Sequence, residues 1–166
     1  CDETLRRMNR KYDTARFYQS VTLLRQYFHR PAVTTDLICG FPDETNREFE
    51  QTMAFIEKCA FADMHIFPYS VRPGTKAAEL VQFSAAVKEE RTRRAVALAR
   101  TIHRAYLEGC VGQTYPVLYE QEKDGLYTGH APNYCEVCVR AEDLHNKIID
   151  TKIVGIDGDA LIGELT

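Results

Sequence analysis

The length and composition of the chain exclude several classes of protein. It has 166 residues, of which 45% are hydrophobic and 27% are charged, a profile typical of a globular fold. Its longest apolar run, Ala95 to Ala99, is far shorter than the roughly 20 residues that span a membrane. The first residues contain neither an initiator methionine nor an apolar signal region, so we expect the chain to be part of a longer polypeptide.

Charge and cysteine content differ along the chain. Residues 1–110 carry 17 Lys and Arg against 14 Asp and Glu, whereas residues 111–166 carry 4 against 10. This contrast suggests two units with different partners. The six cysteines are scattered rather than dense, which disfavours a disulfide framework and favours a reduced, cytoplasmic protein.

The first 110 residues alternate between helical and strand patterns. Thr45 and Glu48 have the spacing of a capping box, Asp13 or Thr14 can start the first helix, and Gly109 is expected to end the last one. This alternation predicts βαβ units around a parallel sheet. The predicted elements in chain order are a helix over Asp13–His29, a strand over Ala32–Cys39, a helix from Thr45, a strand over Met64–Ser70 and a long helix over Ser84–Glu108.

After Gly112 the pattern changes to short strands separated by turn residues. Five strands within about 55 residues predict a small barrel of the size of an OB-fold. The domain boundary is therefore placed near Cys110, with an α/β unit over residues 1–110 and a barrel over residues 111–166. The predicted strands are Tyr115–Tyr119, Leu126–Thr128, Tyr134–Val139, Lys152–Ile156 and Ala160–Leu165.

The first candidate site follows the first predicted strand, at Gly40-Phe-Pro-Asp-Glu-Thr45. Gly40 permits close approach of a backbone or ligand, and a loop that enters a helix presents free N–H groups to a polar ligand. In parallel α/β folds, ligands gather at the carboxyl ends of the strands. A plain strand-to-helix turn is the alternative interpretation.

The second candidate site lies at the end of the next predicted strand, where Tyr69, Ser70 and Arg72 share the same edge of the sheet. His65, near the start of that strand, is expected to be a packed core residue rather than a ligand. Cys135 and Cys138 have a chelating spacing, but in a strand they point to opposite faces and lack a second pair. We therefore predict no metal site within this chain.

The long helix carries a candidate RNA-binding stripe, Arg93, Arg100 and Arg104, opposite an apolar side. Glu89 lies on the same side as the arginines, so a solvated charged face is an equally good interpretation. The apolar side is formed by Val87, Leu98, Ile102 and Ala105.

The predicted barrel carries net negative charge, which opposes phosphate. A local patch of Tyr127, Tyr134 and Arg140 could still stack on and hold an unpaired base.

At the two predicted strand ends the sequence resembles the radical-SAM methylthiotransferases. The resemblance rests on Asp36-Leu-Ile-Cys-Gly-Phe-Pro-Asp-Glu-Thr45 and on His65-Ile-Phe-Pro-Tyr-Ser-Val-Arg-Pro-Gly-Thr-Lys-Ala77. Leu5-Arg-Arg-Met-Asn-Arg-Lys-Tyr12 is similar to the segment that follows the fourth barrel strand of that family. Asp124-Gly-Leu-Tyr-Thr-Gly-His130 and Leu161-Ile-Gly-Glu-Leu165 resemble its terminal TRAM module.

The resemblance implies a fold and an activity for the parent protein. The fold is the C-terminal part of a partial (βα) radical-SAM barrel followed by a five-stranded TRAM barrel. The activity is addition of a 2-methylthio group to a tRNA adenosine next to the anticodon, using S-adenosylmethionine and two [4Fe-4S] clusters. The His-Ile-Phe-Pro-Tyr-Ser run resembles the branch acting on N6-threonylcarbamoyladenosine. The isopentenyladenosine branch more often reads Phe-Ile-Tyr-Ser-Pro-Arg there, and the branch that modifies a ribosomal-protein aspartate differs again.

The resemblance also assigns roles to individual residues. The family's Cys-x-x-x-Cys-x-x-Cys triplet is absent, so the cluster ligands belong to a missing N-terminal domain and this chain alone is expected to be inactive. Arg10 is implied to pair with the carboxylate of S-adenosylmethionine, as the planar guanidinium suits. Asp43 stands where the family usually has glycine, which matters if that position needs a positive φ. The implied S-adenosylmethionine wall consists of Gly40, Phe41, Pro42, Glu44, Phe67, Tyr69 and Ser70.

Two other classes of protein also fit the sequence. One is a non-catalytic RNA-binding module, and the other is a protein-interaction domain with a vestigial barrel. A truncated barrel would expose a parallel strand edge, so we also expect the isolated chain to form oligomers or aggregates.

Overall fold

The computed structural model describes residues 1–166 as two compact units, Cys1–His103 and Arg104–Thr166. No helix in it combines the length and apolarity needed to cross a membrane. The helices are α1 (Asp2–Arg7), α2 (Thr14–Tyr27), α3 (Asn46–Cys59) and α4 (Ala85–Cys110), with a short 3₁₀ helix at Lys76–Glu79. The strands are β1 (Thr34–Cys39), β2 (Asp63–Pro68), β3 (Thr114–Lys123), β4 (Leu126–His130), β5 (Glu136–Arg140), β6 (Lys147–Asp157) and β7 (Ala160–Leu165).

The first unit is built on a two-stranded parallel sheet. β1 and β2 pair in register from Thr34 opposite Asp63 to Cys39 opposite Pro68. One face of the sheet packs on the helices through a core that includes Phe61 and Met64. The parallel pairing joined by α3 confirms the predicted βαβ unit and hence the mixed α/β class.

Helix starts follow the predicted capping chemistry. The Asp13 carboxylate accepts from the Arg16 N–H at 2.7 Å at the start of α2. The Thr45 hydroxyl accepts from the Glu48 N–H at 3.2 Å, while the Glu48 carboxylate accepts from the Thr45 N–H at 2.7 Å. Both halves of the predicted capping box are therefore formed, and the two hydrogen bonds hold the backbone at the point where the chain enters α3.

The end of α4 differs from the prediction. Gly109 lies inside the helix, which continues to Cys110, and the left-handed glycine is Gly112, with φ of 86°. The Gly112 N–H donates to the Ile153 carbonyl at 2.8 Å, so pairing with β6 sets the position of this turn. Ala105, expected on the apolar side, is exposed.

His65 also departs from its expected environment. It is exposed rather than packed in the core, because it belongs to the face of the β1–β2 sheet that the helices do not cover. Its strand neighbours Met64 and Ile66 point to the covered face instead. The prediction of a core histidine is wrong because strand alternation, not residue type, decides which side is buried.

The second unit is a closed five-stranded barrel, as predicted, and its strand order is β3-β4-β5-β7-β6. Its core contains Val117, Val137, Ile153 and Leu161, all fully buried. The contact between β5 and β7 is parallel and covers only Val137 opposite Leu161 and Cys138 opposite Ile162. The remaining neighbouring strand pairs are antiparallel, as in a small OB-like barrel.

Candidate functional site

The two candidate segments meet at one edge of the sheet, which we call the strand-end rim. It comprises Gly40–Thr45 after β1 and Phe67–Ser70 at the end of β2. The Tyr69 N–H donates to the Cys39 carbonyl at 2.8 Å, which ties the two strand ends together. The structure therefore places the two sequence-predicted segments side by side.

Gly40 adopts φ of 71°, a conformation that favours glycine. A Cβ at this position would lie 2.9 Å from Lys88 Cγ. The predicted close approach is therefore real, but the approaching group is the side chain of Lys88 from α4.

Asp43 adopts φ of 60°, in the left-handed region. The family glycine at this place is thus replaced by one of the side chains that tolerates this conformation best. The turn is closed by the Glu44 N–H, which donates to the Phe41 carbonyl at 3.1 Å. The loop keeps its left-handed residue despite the substitution.

Glu44 is buried and paired with Arg91. Arg91 Nη1 donates to Glu44 Oε2 at 2.7 Å and Nη2 to the Glu44 carbonyl at 2.9 Å, with the two side chains 5% and 3% exposed. Burial raises the pKa of Glu44, and the Arg91 charge opposes that rise. Glu44 therefore anchors the loop to α4 and does not present its carboxylate at the surface.

The rim residues divide into buried and exposed side chains. Phe41 and Pro42 are buried, and Phe41 packs edge-on against the Tyr69 ring with centroids 5.3 Å apart. Phe67 is 52% exposed and Ser70 is also exposed. Of the predicted wall residues, Phe67 and Ser70 are thus directly available to a ligand, while Phe41, Pro42 and Glu44 shape the backbone behind them.

The uncovered face of the sheet continues from the rim toward the start of the strands. Ile38 lies opposite Phe67, and Asp36 lies opposite His65, with Asp36, His65 and Phe67 exposed. This face combines an aromatic ring near the rim with polar groups deeper in. An exposed aromatic ring beside exposed polar groups is chemically suited to a ligand that has an aromatic base and a charged end.

Arg10 is exposed, and none of its side-chain atoms bonds to another residue of the chain. Its backbone N–H donates to the Leu5 carbonyl at 2.9 Å, which closes the turn after α1. The structure does not bring its guanidinium into contact with the strand-end rim.

The cysteines do not form a cluster-binding site. No group of three or more His, Cys, Asp or Glu side chains is placed to hold a metal ion. All but Cys1 are buried, and burial raises the pKa of Cys39 to about 11, which keeps it a protonated thiol. The residues of this chain therefore do not fit the ligand set of an iron–sulfur cluster.

The predicted arginine stripe is mostly occupied by carboxylates. Arg93 pairs with Glu90 at 2.8 Å, and Arg104 pairs with Glu108 at 3.2 Å. Arg100 is exposed and has no such partner. Exposed pairs of this kind open easily, so the pairing weakens the stripe as a phosphate site without abolishing it.

The predicted aromatic patch on the barrel is not formed as expected. Tyr127 is only 9% exposed and belongs to the barrel core, so its ring offers no face for stacking. Tyr134 is 88% exposed and precedes β5, whereas Arg140 is exposed at the other end of that strand. The strand length separates these two residues, because each step adds about 3.3 Å.

A cleft of about 670 Å³ opens on the barrel beside the short β5–β7 contact. Its charged lining residues are Arg140, Asp157 and Glu164, and the rest of its lining is mainly apolar. Two carboxylates against one guanidinium make this cleft unsuited to phosphate. Sequence reasoning found no sign of it, because it arises where two distant strands diverge.

Sequence reasoning also missed Lys88 and Arg91, the residues that hold the rim from α4. Arg91 occupies the same helix face as Ala95, Leu98 and Ile102, at spacings of four, seven and eleven residues. The available signal was the position of Arg91 in line with apolar residues, because a charge that is buried among them must have a buried partner.

Comparison with known proteins finds relatives over almost the whole chain. No protein-family model matches the chain. It is 35% identical over 157 residues, or 90% of its length, to a threonylcarbamoyladenosine tRNA methylthiotransferase of Bacillus subtilis. It is 36% identical over 98% of its length to a tRNA-2-methylthio-N(6)-dimethylallyladenosine synthase of Chloroflexus aurantiacus. A second threonylcarbamoyladenosine tRNA methylthiotransferase, from Chlamydia pneumoniae, is 34% identical over 97% of the chain.

The chain spans 35%, 36% and 39% of the lengths of these three relatives. Relatives named for threonylcarbamoyladenosine and for dimethylallyladenosine match the chain almost equally well. Overall identity therefore does not assign the chain to one of the two groups. Taken with the parallel βαβ unit, the strand-end rim and the closed barrel, this similarity shows that the chain belongs to the radical-SAM methylthiotransferase family.

Proposed function

We propose that this chain is part of an enzyme that adds a 2-methylthio group to N6-threonylcarbamoyladenosine in tRNA. The observation that carries the proposal is similarity to tRNA methylthiotransferases over 90% or more of the chain, including both segments of the strand-end rim. The branch assignment rests on the His65-Ile-Phe-Pro-Tyr-Ser70 run, which resembles the threonylcarbamoyladenosine branch.

In this proposal the uncovered sheet face forms one wall of the S-adenosylmethionine site. Phe67 packs on the ligand, Ser70 offers a hydroxyl at the rim, and Tyr69 and Gly40 set the shape of the backbone behind them. Arg10 takes the ligand carboxylate, which its planar guanidinium suits. When bound with its clusters, S-adenosylmethionine supplies the radical chemistry of the reaction.

The cluster ligands lie elsewhere in the parent polypeptide, since the cysteines of this chain do not fit them. The isolated chain is therefore inactive and supplies binding surface and shape. The proposed parent protein works in the cytoplasm on tRNA. Exposed groups that can meet the RNA backbone or an unpaired base are Arg93, Arg100, Arg104, Tyr134 and Arg140.

The test expresses the complete reading frame that contains this chain in a bacterial host lacking both kinds of tRNA methylthiotransferase. Digested tRNA is then analysed by mass spectrometry for methylthio nucleosides. We expect the 2-methylthio form of N6-threonylcarbamoyladenosine to appear. Appearance of only the dimethylallyl derivative would move the protein to the other branch, and absence of both from cluster-loaded protein would refute the proposal.

A matched pair of variants tests the wall assignment in the same host. Phe67→Ala removes an exposed ring at the rim, and Phe28→Ala removes a comparably exposed ring at the end of α2, 60% exposed against 52%. We expect the first change to reduce methylthiolation strongly and the second to leave it nearly unchanged. Equal effects of the two changes would remove Phe67 from the site.

A further inference from the structure

Lys88 lies in the first turns of α4, where its backbone N–H donates to the Ser84 carbonyl at 3.2 Å. Its side chain is half-buried and reaches both segments of the strand-end rim. It shares one helix face with Arg91 and Thr92, which lie three and four positions later. Lys88 belongs to the same face that anchors the Gly40 loop.

The ammonium group of Lys88 holds the end of β2. Nζ donates to the Tyr69 carbonyl at 3.1 Å and lies 5.2 Å from the centroid of the Tyr69 ring. The Tyr69 N–H is already bonded to the Cys39 carbonyl at 2.8 Å. Both polar backbone groups of Tyr69 are therefore fixed, one by β1 and one by α4.

The aliphatic stem of Lys88 holds the end of β1. It packs on the Gly40 backbone so closely that an added Cβ would lie 2.9 Å from Cγ and 3.5 Å from the Lys88 Cβ. One side chain thus contacts both segments of the rim, the first through packing and the second through a charge-assisted hydrogen bond.

We propose that Lys88 is a positioning residue for the S-adenosylmethionine site, which it serves by locking Gly40 and Tyr69 at a fixed separation without touching the ligand. The inference rests on the function proposed above. Lys88 thereby holds from a third element, α4, the backbone that carries Phe67 and Ser70. Without these two contacts the fold remains, but the ends of β1 and β2 can shift relative to each other. The surface that the rim presents to the ligand is then less well defined.

The test uses the complete cluster-loaded protein and titrates it with S-adenosylhomocysteine, a stable probe, by isothermal calorimetry. Lys88→Met keeps most of the stem and removes the charge. We expect binding to weaken about tenfold, in the range of one lost hydrogen bond to a charged group. Lys88→Arg, which can still reach the carbonyl, should recover most of that loss. The matched control is Lys58→Met, since Lys58 also lies over a tyrosine ring, that of Tyr18, at the far end of α3.

The outcomes separate this inference from the function on which it rests. Failure of the parent protein to bind the probe would count against the proposed function. Normal binding by Lys88→Met, with only a lower melting temperature, would overturn the positioning role, as would equal weakening by Lys58→Met. If Lys88→Met does not fold, Lys88→Gln takes its place, and unchanged probe affinity in that variant would likewise overturn the proposal.

Discussion

Replacement of Arg91 by methionine tests how the rim is held. Arg91 is 4% exposed, and its guanidinium bonds to the Glu44 carboxylate at 2.7 Å, the Glu44 carbonyl at 2.9 Å and Asn46 Oδ1 at 3.0 Å. It also lies 4.6 Å from the centroid of the Phe83 ring. Methionine keeps much of the apolar stem and removes all three hydrogen bonds, so it leaves Glu44 buried without its partner.

The structure sets the expected size of the effect. Removing one partner of a buried ion pair costs about 3–5 kcal/mol, because the remaining charge is uncompensated. In a unit of roughly 100 residues, each kcal/mol lowers the melting temperature by about 4–8 °C. Arg91→Met should therefore melt at least about 12 °C lower than the same protein without the substitution at neutral pH.

The loss of stability caused by Arg91→Met should depend on pH. Burial already raises the pKa of Glu44, and loss of the Arg91 charge raises that pKa further. A carboxyl whose folded pKa lies above its unfolded value contributes stability that is full below the unfolded pKa and is lost as pH rises through the folded pKa. The Arg91→Met deficit should thus be small near the ordinary glutamate pKa of 4.5 and grow toward neutral pH.

The assay is urea unfolding followed by far-ultraviolet circular dichroism, which reports the helices of the first unit. The double variant Glu44→Gln with Arg91→Met removes both charges, and it should be more stable at neutral pH than Arg91→Met alone. Arg100→Met, at an exposed arginine without an ion-pair partner, is the control, with an expected change under about 0.5 kcal/mol. A deficit equal to that of the control, or one that does not vary with pH, would refute the argument.

Two further predictions concern stability at other positions. Gly163→Ala should lower the free energy of unfolding of the barrel by about 1–3 kcal/mol, because its Cβ would overlap Thr151 Cγ2 in the barrel interior. Thermal melts check it against Gly155→Ala, whose Cβ would come no closer than 3.9 Å to a neighbouring atom. Thr45→Ala should lower the free energy of unfolding by about 1 kcal/mol, because it removes half of the capping box. The urea midpoint should fall accordingly, and an unchanged midpoint would show that the cap contributes nothing.

Local chemistry made much of this fold predictable. The capping box and the Asp13 cap depend on residues three positions apart, and both are formed. The turn residues that separate the barrel strands also act locally. Asp124 and Gly125 adopt φ of 54° and 74° between β3 and β4, as a tight hairpin requires. The five strands and the βαβ unit follow from such signals and from hydrophobic periodicity.

Long-range contacts were not predictable in the same way. Glu44 and Arg91 are 47 positions apart, and nothing near either residue identifies the other as its partner. Tyr127 has an aromatic ring that could stack on a base, yet strand alternation directs its side chain into the barrel core. His65 shows the reverse, since a histidine in an apolar strand lies on the uncovered face. Helix-end prediction failed at Gly109 because pairing of Gly112 with β6 determines where the chain turns.

The rim shows why the predicted ligand residues act in two different ways. Phe67 and Ser70 have exposed side chains, so changing them alters what a ligand touches while the hydrogen bonds that hold the strand ends remain. Glu44 and Gly40 are buried against α4, so changing them alters the position of the backbone and must also alter stability. Comparing ligand affinity with unfolding free energy therefore separates the two kinds of residue. A substitution at Phe67 that lowers stability as much as one at Glu44 would mean that the rim is a packed core and not a binding surface.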